Sequence, residues 1–299
     1  MSKSPMKRVR SFLFVPGNKE SMIEKGAAST ADALILDLED SVPQDHKVEA
    51  RNIVASKIDW LAAQGKRVYV RVNRSPYMYD FDDVLAVVGP NLEGVFISKT
   101  CGPEDVYAIS TMLSEAEYRR GMPVGHTYVI PLLETARSME LCYEIAQCER
   151  VPAIVGATAK NADTARALGY VWSAQGRESL YFKSRVVMAA RAAGKEPIGG
   201  IWQQVKDLDG LDTYLQTDRD LGMTGELLLH PSNCDAANRT FSPSADEVAY
   251  YQGMIDALEA AQAAGRASTM YDGEHIDIAH AATAREIIAL AASLHAGRA

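Results

Sequence analysis

No run of 18 consecutive apolar residues occurs in the 299-residue sequence, so no segment reads as a membrane span. Cysteine is scarce. The four present, Cys101, Cys142, Cys148 and Cys234, form no C-x-x-C pair and lack the density of a disulfide framework, so they read as free, mostly buried thiols. Positive charge is in deficit: the net charge of −8 and a pI near 5.3 argue against nucleic acid as the partner. No G-x-G-x-x-G follows the first strand-like run, where VPGNKES holds a single Gly, and a dinucleotide site is disfavoured. The six histidines form no H-x-x-x-H pair, and His230 reads as structural, so zinc is not expected. The opening MSKSPMKRVRS passes into FLFV, too short for a signal-peptide core, and the expected location is cytoplasmic.

What is present is repetition. Eight short apolar runs are bounded by turn residues: FLFV (12 to 15), ALILDL (33 to 38), RVYVRV (67 to 72), GVFIS (94 to 98), TYVIPLL (127 to 133), AIVG (153 to 156), PIGGIW (197 to 202) and ELLLH (226 to 230). Amphipathic stretches at 19 to 28, 44 to 63, 103 to 118, 135 to 148, 177 to 193 and 211 to 221 lie between them. Repeated βα units imply parallel strands with right-handed crossovers. Eight such units predict an α/β fold, a TIM (β/α)8 barrel over residues 1 to 235. Residues 236 to 299 are expected to form a C-terminal helical extension or lid. It has helices at 244 to 264 and 279 to 296, separated by the polar break GRASTMYDGEHID.

In a parallel barrel, functional residues come from the carboxyl ends of the strands and the loops that follow. That filter selects Asp37, Glu39 and Asp40 after strand 2, Arg71 and Asn73 after strand 3, Lys99 after strand 4, Glu134 after strand 5, and Lys160, Asn161 and Asp163 after strand 6. A single carboxylate at such a place is commonly a helix cap or a solvated loop residue. Five strand ends together make an acidic mouth with cations, suited to a divalent metal and an anionic, oxygen-rich substrate. Oxygen ligands without a His/Cys cluster favour Mg²⁺.

Seven ordered segments carry a resemblance to a known family: RSFLFVPGN, ADALILDLEDSV, VRVN, ETA, AARAAG, LLHPS and NRTFSPSADEV. They resemble the citrate lyase beta-subunit-like (CitE-like) branch of the HpcH/HpaI aldolase superfamily over nearly the whole chain. The resemblance implies a (β/α)8 barrel assembling as a homotrimer or homohexamer, with Mg²⁺ (Mn²⁺ possible) as cofactor and no membrane or nucleic-acid partner. It implies Glu134 and Asp163 as metal ligands, with Glu134 also meeting substrate, and Arg71 as the clamp for a substrate carboxylate or enolate. Glu39 and Asp40 resemble the acidic pair that orders metal waters and substrate. Asp277 of YDGEHID is similar to an acid/base placed over a neighbouring subunit's barrel. Arg10 and Lys25, with Lys7 and Arg8, are candidates for the phosphates of coenzyme A.

The expected activity is Mg-dependent carbon–carbon lysis, of retro-Claisen or aldol type, of a 2-hydroxyacyl-CoA thioester such as malyl-, citramalyl- or citryl-CoA. A metal acidifies the hydroxyl, an Arg fork holds the carboxylate, and an acid protonates the departing enolate. Three alternatives stand beside it: a CoA-independent class II aldolase for small hydroxy or oxo acids, a malyl-CoA-type thioesterase, and a carrier-dependent or non-catalytic subunit. Departures from the family pattern bear on the choice. Ser98-Lys99 replaces Pro-Lys, the segment GATAKNAD (156 to 163) is stretched, and HPSN replaces HPxQ.

Overall fold

The computed structural model describes residues 6 to 296; the outermost ends of the two expected domains, 1 to 5 and 297 to 299, lie outside the described residues. The chain divides into two compact units, Met1–Asn238 and Arg239–Ala299. The expected boundary at 235 falls three residues earlier, inside a helix.

The first unit is built from eight parallel strands: β1 (Ser11–Pro16), β2 (Ala33–Asp37), β3 (Arg67–Arg71), β4 (Leu92–Ile97), β5 (Tyr128–Pro131), β6 (Ala153–Val155), β7 (Glu196–Gly199) and β8 (Gly225–Leu228). Their order is β5-β4-β3-β2-β1-β8-β7-β6. A parallel bridge between Leu132 and Val155, with the Leu133 N–H donating to the Val155 carbonyl at 3.0 Å, joins the two ends of that order. The sheet therefore closes on itself as a TIM barrel. Around it run α1 (Glu20–Ala27), α2 (Lys47–Ala63), α3 (Phe81–Val87), α4 (Pro103–Arg119), α5 (Ala136–Glu140), α6 (Cys142–Ala146), α7 (Asp163–Leu168), α8 (Leu180–Ala192), α9 (Leu208–Leu221) and α10 (Cys234–Thr240).

Side chains alternate across a strand, so every second residue enters the barrel. Phe12, Ile35, Tyr69, Phe96, Ile130, Val155, Ile198 and Leu227 fill the interior. Three of these rings meet edge to face at 5.3 to 5.7 Å: Phe12 with Tyr69, Phe12 with Phe96, and Tyr69 with Phe96. The interleaved set, Leu13, Leu34, Leu36, Val68, Val70 and Val95, is also buried, so both faces of these strands are covered, as a parallel barrel demands.

The structure departs from the sequence reading in several elements. The helix expected over 135 to 148 is two short helices meeting at Leu141, and α3, α7 and α10 were not anticipated. In the second unit, α11 (Ala245–Ala263) opens with a Ser244/Glu247 capping box, as its sequence predicts. The expected polar break is instead an antiparallel hairpin, β9 (Thr269–Tyr271) with β10 (Glu274–Ile276), and α12 (Ile278–Ala296) follows it. Asp272 and Gly273 turn the hairpin with φ of 49° and 82°, the pair of positive angles a two-residue turn requires and Asp-Gly readily adopts. Met254, Ile255 and Leu258 of α11 pack with Ile276, Ala281 and Ala284 to give this unit its own core. Among the described residues no helix is long and apolar enough to cross a membrane, and all four cysteines are free.

Candidate active site

The pleat that fills the barrel also aims the site. Two residues beyond Ile35 comes Asp37, two beyond Tyr69 comes Arg71, two beyond Phe96 comes Ser98, and four beyond Ile130 comes Glu134. Each keeps the inward parity of its strand and emerges at the carboxyl end.

Asp37 and Arg71 are register partners on β2 and β3. Asp37 Oδ1 and Oδ2 accept from Arg71 Nε and Nη2 at 2.6 and 2.7 Å, and also from the backbone N–H of Glu39 and of Ser41, both at 3.0 Å. Burial alone would raise the Asp37 pKa; the Arg71 guanidinium and these N–H donors outweigh it and hold the carboxyl below its ordinary range. Arg71 also lies over the Phe14 ring at 4.9 Å, and its own pKa is raised because its acidic neighbours outweigh burial. The Nε/Nη2 side of the guanidinium is thus engaged by Asp37. Nη1 faces the mouth, 3.3 Å from Glu39 Oε2 and 3.6 Å from Asp40 Oδ2.

The turn after β4 ties the other acids together. Ser98 Oγ and Lys99 Nζ each donate to Glu39 Oε1 at 2.7 Å, and Lys99 Nζ lies 3.4 Å from Asp40 Oδ1. The Lys99 backbone N–H donates to Glu134 Oε2 at 2.8 Å from a left-handed conformation, φ 51°. Glu134 immediately precedes Thr135, which caps α5 and whose hydroxyl donates to the Thr100 carbonyl at 2.9 Å, fixing strand end to helix start. Burial raises the Glu134 pKa to about 7; the Lys99 N–H and Arg71 oppose this, while Asp163 and Glu39 add to it. A carboxyl so placed is short of positive charge.

Asp163 opens α7, where the helix dipole favours an acid, and its Oδ1 accepts from Arg166. Thr164 Oγ1 donates to the Ala157 carbonyl at 2.8 Å, pinning that helix to the end of β6. Glu39, Asp40, Lys99, Glu134 and Asp163 line one cavity of about 630 Å³, together with Lys47, Asn73, Arg74 and Arg166. Among the described residues no three His, Cys, Asp or Glu side chains form a closed metal cage. Two carboxylates on facing elements, all oxygen and one with unbalanced charge, fit a divalent ion that keeps most of its waters.

Arg10 and Lys25 lie away from this mouth. Arg10 precedes β1, at the opposite end of the barrel from this mouth, and is buried with Nε donating to Asp32 Oδ2 at 2.8 Å. Lys25 is exposed in the last turn of α1, the end that leads down to β2. Lys7 gives its carbonyl to Arg67, and Arg8 pairs with Glu196 at 3.4 Å. The cations that do line the mouth are Lys47, Arg74, Lys99 and Arg166. Asp277, in the second unit, caps α12: its Oδ1 accepts from the Ala279 N–H at 3.0 Å and lies 2.8 Å from His280 Nδ1. The sequence places Asp37 at the mouth without naming its partner, and it gives Ser98 no role. Their inward parity was the available signal, but the partners that parity meets were not visible.

A closed (β/α)8 barrel with acids, an arginine and a lysine converging at the carboxyl ends of its strands defines an enzyme of the TIM-barrel class. Residues 10–231 match the family model described as HpcH/HpaI aldolase/citrate lyase. The chain belongs to that family. It is 32% identical over 288 residues to a (3S)-malyl-CoA thioesterase of Cereibacter sphaeroides, covering 96% of each chain. It is 31% identical over 304 residues to an L-malyl-CoA/beta-methylmalyl-CoA lyase of the same organism, covering 95% of each. Among solved structures, a citrate lyase from Burkholderia xenovorans shares the fold with a TM-score of 0.82 at 19% identity, over 97% of this chain and 94% of that one. CitE from Mycobacterium tuberculosis, in complex with magnesium, acetoacetate and coenzyme A, gives 0.75 at 22% identity, over 95% and 98%.

Proposed function

We propose that this enzyme cleaves the carbon–carbon bond of a 3-hydroxyacyl-CoA thioester of the malyl, citramalyl or citryl type, a 2-hydroxy acid at its free carboxylate end, with Mg²⁺ or Mn²⁺ held by Glu134 and Asp163. The observation that carries the reading is the convergence of Glu134, Asp163, Glu39, Asp40 and Lys99 on one cavity, with Arg71 Nη1 directed at Glu39 and Asp40. When bound, the metal supplies a Lewis acid for the hydroxyl and carboxylate oxygens of the substrate. Arg71 Nη1 offers a charged N–H to the substrate carboxylate or developing enolate, its direction set by the Asp37 lock. Glu39 and Asp40 orient the substrate and its waters, and Arg74 and Arg166 offer positive charge to its anionic end.

Asp277 is proposed to provide the proton that the thioester enolate takes up, acting on the barrel of another copy of the chain in a homotrimer or homohexamer. The malyl-CoA thioesterase relative supports a second reading, in which the same site hydrolyses the thioester and leaves the carbon skeleton intact.

Mass-spectrometric analysis of the products from malyl-, citramalyl- and citryl-CoA, with Mg²⁺ present and absent, separates the readings. Lysis yields a shorter acyl-CoA and an oxo acid, whereas hydrolysis yields free CoA and the intact hydroxy acid. Glu134→Gln and Asp163→Asn are each expected to abolish metal-dependent turnover with folding retained, since each removes an anionic ligand and keeps the shape. Full activity of both variants in EDTA would refute the metal assignment.

A further inference from the structure

Ser98 is fully buried, yet its hydroxyl is placed in the mouth by the same alternation that buries Phe96. It donates to Glu39 Oε1 at 2.7 Å, and Lys99 Nζ donates to the same oxygen at the same distance. Glu39 Oε2 is buried and has no hydrogen-bond partner, with Arg71 Nη1 at 3.3 Å outside good hydrogen-bond geometry. One carboxylate oxygen is therefore doubly loaded, and the other is buried with Arg71 Nη1 beside it.

The two donors are not equivalent. Lys99 holds its ammonium on a flexible stem and has Asp40 as a second partner at 3.4 Å. Ser98 has one short side chain on a backbone fixed from several sides. Arg74 Nη1 donates to the Lys99 carbonyl at 2.6 Å and to the Ser98 carbonyl at 3.3 Å. The Lys99 N–H holds Glu134, and the left-handed Lys99 backbone, rare for a residue with a Cβ, persists only because these partners over-determine it. The same turn thus grips an acid from β2 and the acid that follows β5.

We propose that Ser98 is a positioning residue for Glu39: its hydroxyl fixes the carboxylate so that Oε2 stays beside Arg71 Nη1 and keeps that N–H aimed at the mouth. The inference rests on the reading of Glu39 as part of the reacting site. Without Ser98, Glu39 follows Lys99, and Lys99 can follow Asp40.

The test is a double-variant cycle on Ser98→Ala and Glu39→Ala. Ser98→Ala is expected to lower kcat about tenfold, the worth of one hydrogen bond, with KM and the melting temperature little changed. Calorimetric Mg²⁺ affinity should also be unchanged, because Glu134 is held by the Lys99 backbone and not by Ser98. In the Glu39→Ala background, Ser98→Ala should cost nothing further, since there is no carboxylate left to position. Wild-type kcat in Ser98→Ala, or an equal loss in both backgrounds, overturns the proposal. A crystal structure of Ser98→Ala reads it independently of any turnover. A rotated Glu39 supports it, and an unmoved Glu39 refutes it even if the substrate class assigned above is wrong.

Discussion

Asp37→Asn isolates the element on which the rest of the site depends. The substitution keeps shape and one carbonyl oxygen but removes a negative charge that accepts from Arg71 Nε, Arg71 Nη2, Glu39 N and Ser41 N. The new amide nitrogen cannot accept, so two of the four donors lose their partner and one meets another N–H head on. Side-chain exposure is 11% for Arg71 and 2% for Asp37, so solvent does little to compensate. Breaking one half of such a buried pair costs roughly 3–5 kcal/mol. Arg71 keeps Glu39 at 3.3 Å and Asp40 at 3.6 Å, which places this case near the lower bound. The expected loss is about 3 kcal/mol, a shift of roughly 5 °C in melting temperature for a chain of this size.

Urea denaturation should show the lower midpoint at unchanged slope, and kcat/KM should fall as well because Arg71 is no longer aimed. The double variant Asp37→Leu/Arg71→Met removes both charges and should recover part of the stability while remaining inactive. A loss below about 1 kcal/mol in Asp37→Asn, with activity retained, would falsify the claim that this pair locks the mouth.

Arg10→Met should lower stability by breaking the buried pair with Asp32 and leave KM for an acyl-CoA unchanged; a raised KM at intact stability would return Arg10 to the substrate. Glu226 lies fully buried beside Asp218, whose Oδ1 accepts from Lys183 at 2.6 Å, and a Cβ on Gly199 would fall 2.4 Å from Asp218 Oδ2 and 2.7 Å from Glu226 Oε2. Burial and the neighbouring Asp218 raise the Glu226 pKa well above the carboxylate range. Its contribution to stability is therefore complete below the ordinary carboxylate pKa and is lost as pH rises toward the folded value. Glu226→Gln should flatten the alkaline decline in stability by up to ~1.4 kcal/mol per pH unit, and an unchanged slope across pH 5 to 9 would refute the raised pKa of Glu226. Asp277→Asn should leave stability little changed, since Asn caps nearly as well, but lower kcat roughly 10²-fold if the group transfers a proton. Mixing Asp277→Asn with Glu134→Gln subunits should then restore turnover, and none recovered after confirmed subunit exchange confines the site to one chain.

How much of this was legible depends on which physical pattern each residue obeys. The period of two in ALILD and RVYVR marks the inward positions and, with chain direction, points Asp37 and Arg71 at the mouth. The barrel and the acidic cluster follow from that pattern alone. Ladder register does not: that Asp37 faces Arg71, and so occupies the guanidinium fork expected for substrate, is a fact about two strands 34 residues apart. Direction also bears on Arg10, which precedes β1 and so lies at the end of the barrel away from the mouth, paired with Asp32.

The Asp-Gly turn at 272 to 273, flanked by TMY and EHI, carries a local hairpin signal that the surrounding polar composition masks. Lys99 leaves no local trace of this kind. Its left-handed backbone is imposed by Arg74, Thr135 and Glu134 acting on residues 98 to 100, through contacts that exist only once the barrel has closed. A site assembled from strand ends is therefore readable residue by residue in its composition. Its hydrogen-bond wiring belongs to register and closure, and that wiring decides which face of Arg71 is free to meet a substrate.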